Sequence, residues 1–104
     1  MTTAVKGEEV AEVLRKVIRG EVPIRLANPA LTWNWVWCGN CEFLIGDWRM
    51  TFFNDCGELD YTDHVVAPDG RKTDYDDFYE AGDGVELLSD EERACLVAIF
   101  EAVK

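Results

Sequence analysis

The chain has 104 residues, 48% of them apolar and 30% charged, enough for one modest core beneath a well-solvated surface, and residues 1–104 read as a single domain. Its formal net charge of −11 argues against direct binding to a nucleic-acid backbone or an anionic membrane, since both need a positive footprint. No run approaches the roughly 20 apolar residues of a bilayer span. The start, MTTAVKGEEV, lacks the apolar stretch of a secretory signal, so the expected compartment is the cytoplasm, with the cysteines reduced.

In chain order, GEEVAEVLRKVIRG predicts a first helix. Val10, Val13, Leu14, Val17 and Ile18 fall on one stripe, glutamates lead, Arg and Lys follow, and Gly20 is placed to stop the helix. EVPIRLANPA, with two prolines, predicts an extended connection. From Leu31 to Val66 the chain alternates and is rich in Trp, Phe, Val and Thr, the pattern of an antiparallel meander. Gly39-Asn40 and Gly46-Asp47 are expected to be two-residue turns of type II′, with NDCG (Asn54–Gly57) as a four-residue loop and APDGR closing the fourth strand. TDYDDFYEAG predicts a short helix capped by Thr73, with Tyr75, Phe78 and Tyr79 on one side. Ser89-x-x-Glu92 is a capping box ahead of Leu96, Ile99, Phe100 and Val103 at helical spacing. The expected architecture is α+β: a four-stranded antiparallel meander, with an N-terminal helix and two C-terminal helices on one face.

Two-residue turns fix a register. Ile45 should then oppose Trp48, Phe43 Met50, and Cys41 Phe52, while Cys38 opposes Cys41 and Val36 opposes Phe43 across Gly39-Asn40. The loop at 54–57 should set Phe52 against Leu59 and Met50 against Tyr61. One face becomes apolar (Val36, Cys38, Cys41, Phe43, Ile45, Trp48, Met50, Phe52, Leu59, Tyr61, Val65) and forms the core. The other carries Trp33, Trp35, Trp37, Leu44 and Phe53 among Glu42, Arg49, Thr51, Glu58, Asp60, Thr62 and His64. Three neighbouring tryptophans are unusual for a solvated sheet face, and they point to a partner-binding or dimerising surface unless the Glu21–Ala30 connection covers them.

Cys38-x-x-Cys41 flanking a turn resembles half of a zinc knuckle, and no second Cys-x-x-Cys exists. The loop at 54–57 would bring Cys56 to the same sheet end, so Cys38, Cys41 and Cys56 form an alternative zinc set, with Asp55 or Cys95 as fourth ligand. Thioredoxin-type redox chemistry needs its pair at a helix start, and these cysteines are expected on strands; small buried hydrophobes at a hairpin end are the simpler reading. His64 is the single histidine, expected near the far sheet end opposite Asp47. Asp60 shares its face roughly 13 Å away, too far for a hydrogen bond. The acids Asp74, Asp76, Asp77 and Glu80 suggest a cation loop, but DGRKTDYDDFYE has Arg71 at its third position and no Gly at its sixth, so it fails as an EF-hand. A helix start enriched in acids is the simpler account. No phosphate loop, G-x-S-x-G or H-E-x-x-H occurs, and the expectation is a protein without enzymatic activity.

DWRMTFFNDCGELDYTDHVVAPDGR (Asp47–Arg71), with EEVAEVLRKVIRG before it and GDGVELLSDEE after it, resembles small uncharacterised bacterial proteins grouped as a domain of unknown function. The resemblance implies a small soluble bacterial protein and carries no activity, cofactor or ligand. It also implies that a pair like Cys38/Cys41 is not a constant part of the pattern, which weighs against zinc as a shared property.

The whole excess of −11 falls in residues 54–104, where Arg71, Lys72, Arg93 and Lys104 are the only bases. The functional expectation is therefore an acidic protein-interaction module, of inhibitor or immunity type in its most concrete form. Its partner would be a basic or nucleic-acid-binding protein, or a second copy in a homodimer. The expected contact residues are Trp33, Trp35, Trp37, Leu44, Arg49, Phe53, Asp60 and His64, with no metal or cofactor.

Overall fold

A computed structural model describes residues 4–104, the side chains of residues 79–81 excepted. The elements run α1 (Gly7–Ile18), β1 (Ile24–Leu26), α2 (Trp33–Val36), β2 (Cys38–Ile45), β3 (Trp48–Asp55), β4 (Glu58–Val66), β5 (Lys72–Asp74), α3 (Tyr75–Ala81) and α4 (Asp90–Ala102). The fold is α+β, as expected, with a sheet of five antiparallel strands in the order β1-β2-β3-β4-β5 rather than four. Both added strands are three-residue edges. β1 lies inside the expected connection, and β5 follows the turn that closes β4. No helix among the described residues is long and apolar enough to cross a membrane.

The first expected strand does not exist. Trp33–Val36 is a single helical turn capped by Thr32, whose hydroxyl accepts from Trp35 N–H at 3.2 Å. Gly39-Asn40 is not a turn either: both residues lie within β2, opposite Asn54 and Phe53. Cys38 therefore opposes Asp55 rather than Cys41, and Val36 is not in the ladder. The Gly46-Asp47 turn holds, with Ile45 against Trp48, Phe43 against Met50 and Cys41 against Phe52. Gly46 has the positive φ of 56° that the first position of such a turn requires.

The loop at 54–57 is tighter than expected. Asp55 pairs with Glu58, leaving Cys56 (φ 53°) and Gly57 (φ 98°) as a two-residue turn of type I′. Beyond it the register slips twice, because Asp60 and Asp63 are extra residues on β4 without a partner on β3. Each bulge reverses the side-chain alternation. As a result Leu59, Thr62 and Val65, every third residue, face the core, while Tyr61 turns outward to stack on Phe53 with ring centroids 5.0 Å apart. Tyr61 was expected inside and Thr62 outside. The bulges exchange them.

Of the expected core face, Cys41, Phe43, Ile45, Met50, Phe52, Leu59 and Val65 are buried and Trp48 half-buried, whereas Cys38, at the start of β2, is exposed, and Val36, in α2, packs only partly against the core. α4 covers it through Phe100, whose ring lies 4.4 Å from Phe43, 5.5 Å from Phe52 and 5.1 Å from Trp33. α1 contributes Val10, Leu14 and Val17, and Arg15 reaches Glu92 of α4 at 3.0 Å. The Ser89/Glu92 capping box starts α4 as expected. Thr73 does not cap α3: it lies in β5, and its hydroxyl bridges the backbone of Val5, accepting from N–H at 2.7 Å and donating to the carbonyl at 3.2 Å. Phe78 is buried and Tyr75 packs on Tyr61; the side chains of Tyr79 and Glu80 lie outside the described residues.

Candidate functional site

The features singled out from the sequence meet where β2 starts beside the β3–β4 turn. Asn54, fully buried, clamps the two together: its side-chain amide donates to the Trp33 carbonyl at 2.7 Å, and its side-chain oxygen accepts from Gly57 N–H at 2.6 Å. Gly57 N–H also reaches the Trp37 carbonyl at 3.3 Å, and Trp33 Nε1 donates to the Gly57 carbonyl at 3.4 Å. A helical turn is thereby bolted to a hairpin turn. Trp37 adopts φ 52°, which turns the chain from α2 into β2. Its ring lies over Gly57, where an added Cβ would come within 2.9 Å of Trp37 Cζ3.

This geometry divides the tryptophans. Trp33 points inward and is fully buried, so it belongs to the core and not to a surface. Trp35 is 75% exposed and Trp37 53% exposed. Beyond Gly57 a groove of about 470 Å³ opens between β4 and α4, lined by Asp55, Glu58, Asp60 and Asp90 with Arg93 as its one base. Arg93 is held in place by Asp90 and by the Val85 carbonyl. Exposed aromatic surface and a negatively charged groove are therefore contiguous through the Trp37–Gly57 contact.

The remaining expected contact residues do not join this patch. Leu44 and Arg49 oppose each other at the other end of the sheet, where Arg49 pairs with Glu42 at 3.6 Å. Phe53 is half-buried against Tyr61 on the outer face. His64 opposes Thr51 in mid-sheet rather than Asp47, because the two bulges shorten the reach of β4. The bulged Asp63 carboxylate accepts from His64 Nδ1–H at 2.7 Å, while Nε2 meets the Thr51 hydroxyl at 3.1 Å. The order carboxylate–imidazole–hydroxyl is that of a nucleophilic relay; Thr51 is 3% exposed, at the floor of a small cavity of about 210 Å³ that it lines with His64, Leu31 and Asn40. The relay orders the imidazole. Of the expected set, Asp60 lines the groove and Trp37 adjoins it through Gly57.

The cysteines also separate. Cys41 is buried, donates toward the Leu31 carbonyl at 3.6 Å, and has its thiol pushed up to about 11 by burial. Cys38, three residues away on the same strand, faces the other way and is exposed. Cys56 does approach Cys38, as expected, with the sulfur atoms 2.6 Å apart. The hydrogen bond with Cys38, then desolvation, push the Cys56 thiol up to about 11. The alternative zinc set is thus not assembled, because Cys41 is on the wrong side of the strand. No three His, Cys, Asp or Glu among the described residues are grouped as metal ligands.

The sequence reading missed Asn54 as a clamp and Glu58, Asp90 and Arg93 as groove residues. The signal for Asn54 was the NDCG stretch, where Asn precedes a tight turn. For the groove there was no local signal, since α4 and β4 meet only in three dimensions. Residues 4–102 match the family model described as a domain of unknown function, DUF7693. No curated protein and no solved structure matched the chain.

Proposed function

The chain belongs to that family of unknown function, and from the site itself we propose a non-enzymatic protein-interaction module that takes a basic polypeptide segment across α2 and the adjoining acidic groove. One observation carries this reading: Trp37, 53% exposed, packs its ring on Gly57, which lines a groove with four carboxylates and one arginine, and Trp35, 75% exposed, lies two residues before it. Exposed Trp supplies large contact area and cation–π attraction for Lys or Arg, and the carboxylates supply the complementary field. Lysine or arginine side chains can extend into the groove while their stems lie on Trp37. An inhibitor or immunity-type protein that blocks a basic, nucleic-acid-binding surface is the concrete form. The setting in this reading is reducing and cytoplasmic, where cysteines stay thiols by default.

Tryptophan fluorescence titrated with Lys/Arg-rich peptides, against acidic peptides of equal length, tests the proposal. Binding should be confined to the basic peptides and weaken with salt. The double substitution Trp35→Ala/Trp37→Ala, followed by calorimetry because fluorescence is then reduced, should cost about 2 kcal/mol, roughly 30-fold in Kd. Equal affinity for acidic peptides, or an unchanged Kd in a folded double variant, rejects the reading. Sedimentation of the free protein distinguishes the homodimer: self-association abolished by the same substitutions would put a second copy on this surface instead.

A further inference from the structure

We infer that Cys38 and Cys56 are a redox-active dithiol that closes to an intramolecular disulfide by exchange with a low-molecular-weight disulfide such as oxidised glutathione. The sulfur atoms stand 2.6 Å apart, within about half an ångström of a covalent S–S bond. The backbone holds them there from both sides: Cys38 is in register with Asp55, the residue before Cys56, and the Trp37 carbonyl accepts from Gly57 N–H at 3.3 Å. Both thiols are exposed, so a small disulfide can reach them. Cys56 also occupies a position whose φ of 53° is ordinarily filled by Asn, Asp or Gly, so local backbone preference does not account for a cysteine there. The other two cysteines do not compete. Cys41 is buried on the opposite side of β2, and Cys95 lies on α4; among the described residues, Cys38–Cys56 is the only pair of cysteine sulfurs in contact. The inference stands on this sulfur geometry and does not depend on what binds at the tryptophans.

The exchange balances in two steps. One protein thiolate attacks a sulfur of the small disulfide, forming a mixed disulfide and expelling one small thiolate. The second protein thiolate then attacks the protein sulfur of that mixed disulfide, forming the Cys38–Cys56 bond and expelling the other small thiolate. The two protein thiols are oxidised, the small disulfide is reduced to two thiols, and the two protons lost by the protein pass to the departing thiolates.

The experiment uses the full chain, reduced, then exposed to oxidised glutathione and quenched with acid. The Cys38–Cys56 pair should lose two hydrogens, any glutathione adduct should be confined to the separately exposed Cys95, and a peptide map should join the Cys38 peptide to the Cys56 peptide. Dithiothreitol should reverse the change. Cys38→Ser and Cys56→Ser should each arrest at a stable glutathione adduct on the remaining exposed partner, while Cys95→Ser should still form the internal link. Persistent adducts at Cys38 or Cys56 of the unsubstituted protein, or a link that uses Cys41, Cys95 or a second molecule, would overturn the inference.

Discussion

Cys56 opens a type I′ turn at φ 53°, and Asn54, two residues earlier, holds that turn to α2. A non-glycine residue in the left-handed region costs on the order of 1 kcal/mol, and Asn pays less than most because its short polar side chain bonds locally. Cys56→Asn should therefore stabilise the reduced protein by about 0.5–1 kcal/mol, read as a higher urea midpoint at unchanged m. Asn54→Ala acts in the other direction. It removes the donor to the Trp33 carbonyl and the shorter of two acceptors from Gly57 N–H, both in a buried setting. A loss of about 2–3 kcal/mol is expected, together with faster amide exchange at Trp35 and Trp37, since these residues depend on the clamp for their position. A loss of stability without faster exchange there would show that the amide supports only the core.

Among the elements, α1 begins in close backbone contact with the segment before α4. A Cβ on Gly84 would lie 2.7 Å from the Gly7 carbonyl oxygen and 2.7 Å from Val10 Cβ, neither of which can swing aside. Gly84→Ala should cost about 1–3 kcal/mol by thermal or urea denaturation, whereas Gly20→Ala, which has open space around it, should cost only its positive-φ strain. Buried Asp83 fixes the same segment by accepting from Thr62 N–H, the Thr62 hydroxyl and Val85 N–H. These contacts explain what could be read in advance. α1 and α4 each spread a stripe over several turns, and Gly46-Asp47 sits between alternating runs, so local pattern was sufficient. α2 is a single turn, too short to show helical periodicity, and WNWVW imitates a strand's alternation. Gly39-Asn40 has the same composition as a true turn and was paired away by Asn54 and Phe53 from a distant strand. The bulges at Asp60 and Asp63 left β4 with a core period of three, which neither a strand nor a helix template detects. The acidic groove likewise exists only because β4 and α4 pack together.

On the scale of the molecule, a net charge of −11 is opposed at one seam, where Arg71 reaches across from the β4–β5 connection to α1. Its guanidinium donates to both Glu9 carboxylate oxygens, at 3.1 and 2.9 Å, and to Asp69 at 2.8 Å. Hydrogen bonding from Arg71, then from the Lys6 backbone, holds the Glu9 carboxyl below its ordinary value of 4.5; the Arg71 backbone N–H and its guanidinium likewise hold Asp69 below 3.8. A carboxyl with a lowered folded-state pKa gives up its proton more readily in the folded chain. Its contribution to stability is therefore complete above the unfolded value and is lost as pH falls through the folded one. Arg71→Met should accordingly reduce stability at neutral pH, and the gap from the parent should hold down to pH 4.5 and then close through 3.8 and below. The seam is partly exposed, so the gap should be small and shrink with salt. Unfolding free energies of both proteins across that pH range check this. A gap that fails to close on acidification would mean that Arg71 stabilises the fold in some way other than through the Glu9 and Asp69 carboxylates. The groove offers the contrast. There Asp55, Glu58 and Asp60 form no ion pair among the described residues, while Asp90 shares Arg93, so this concentration of charge is left for a basic partner to neutralise.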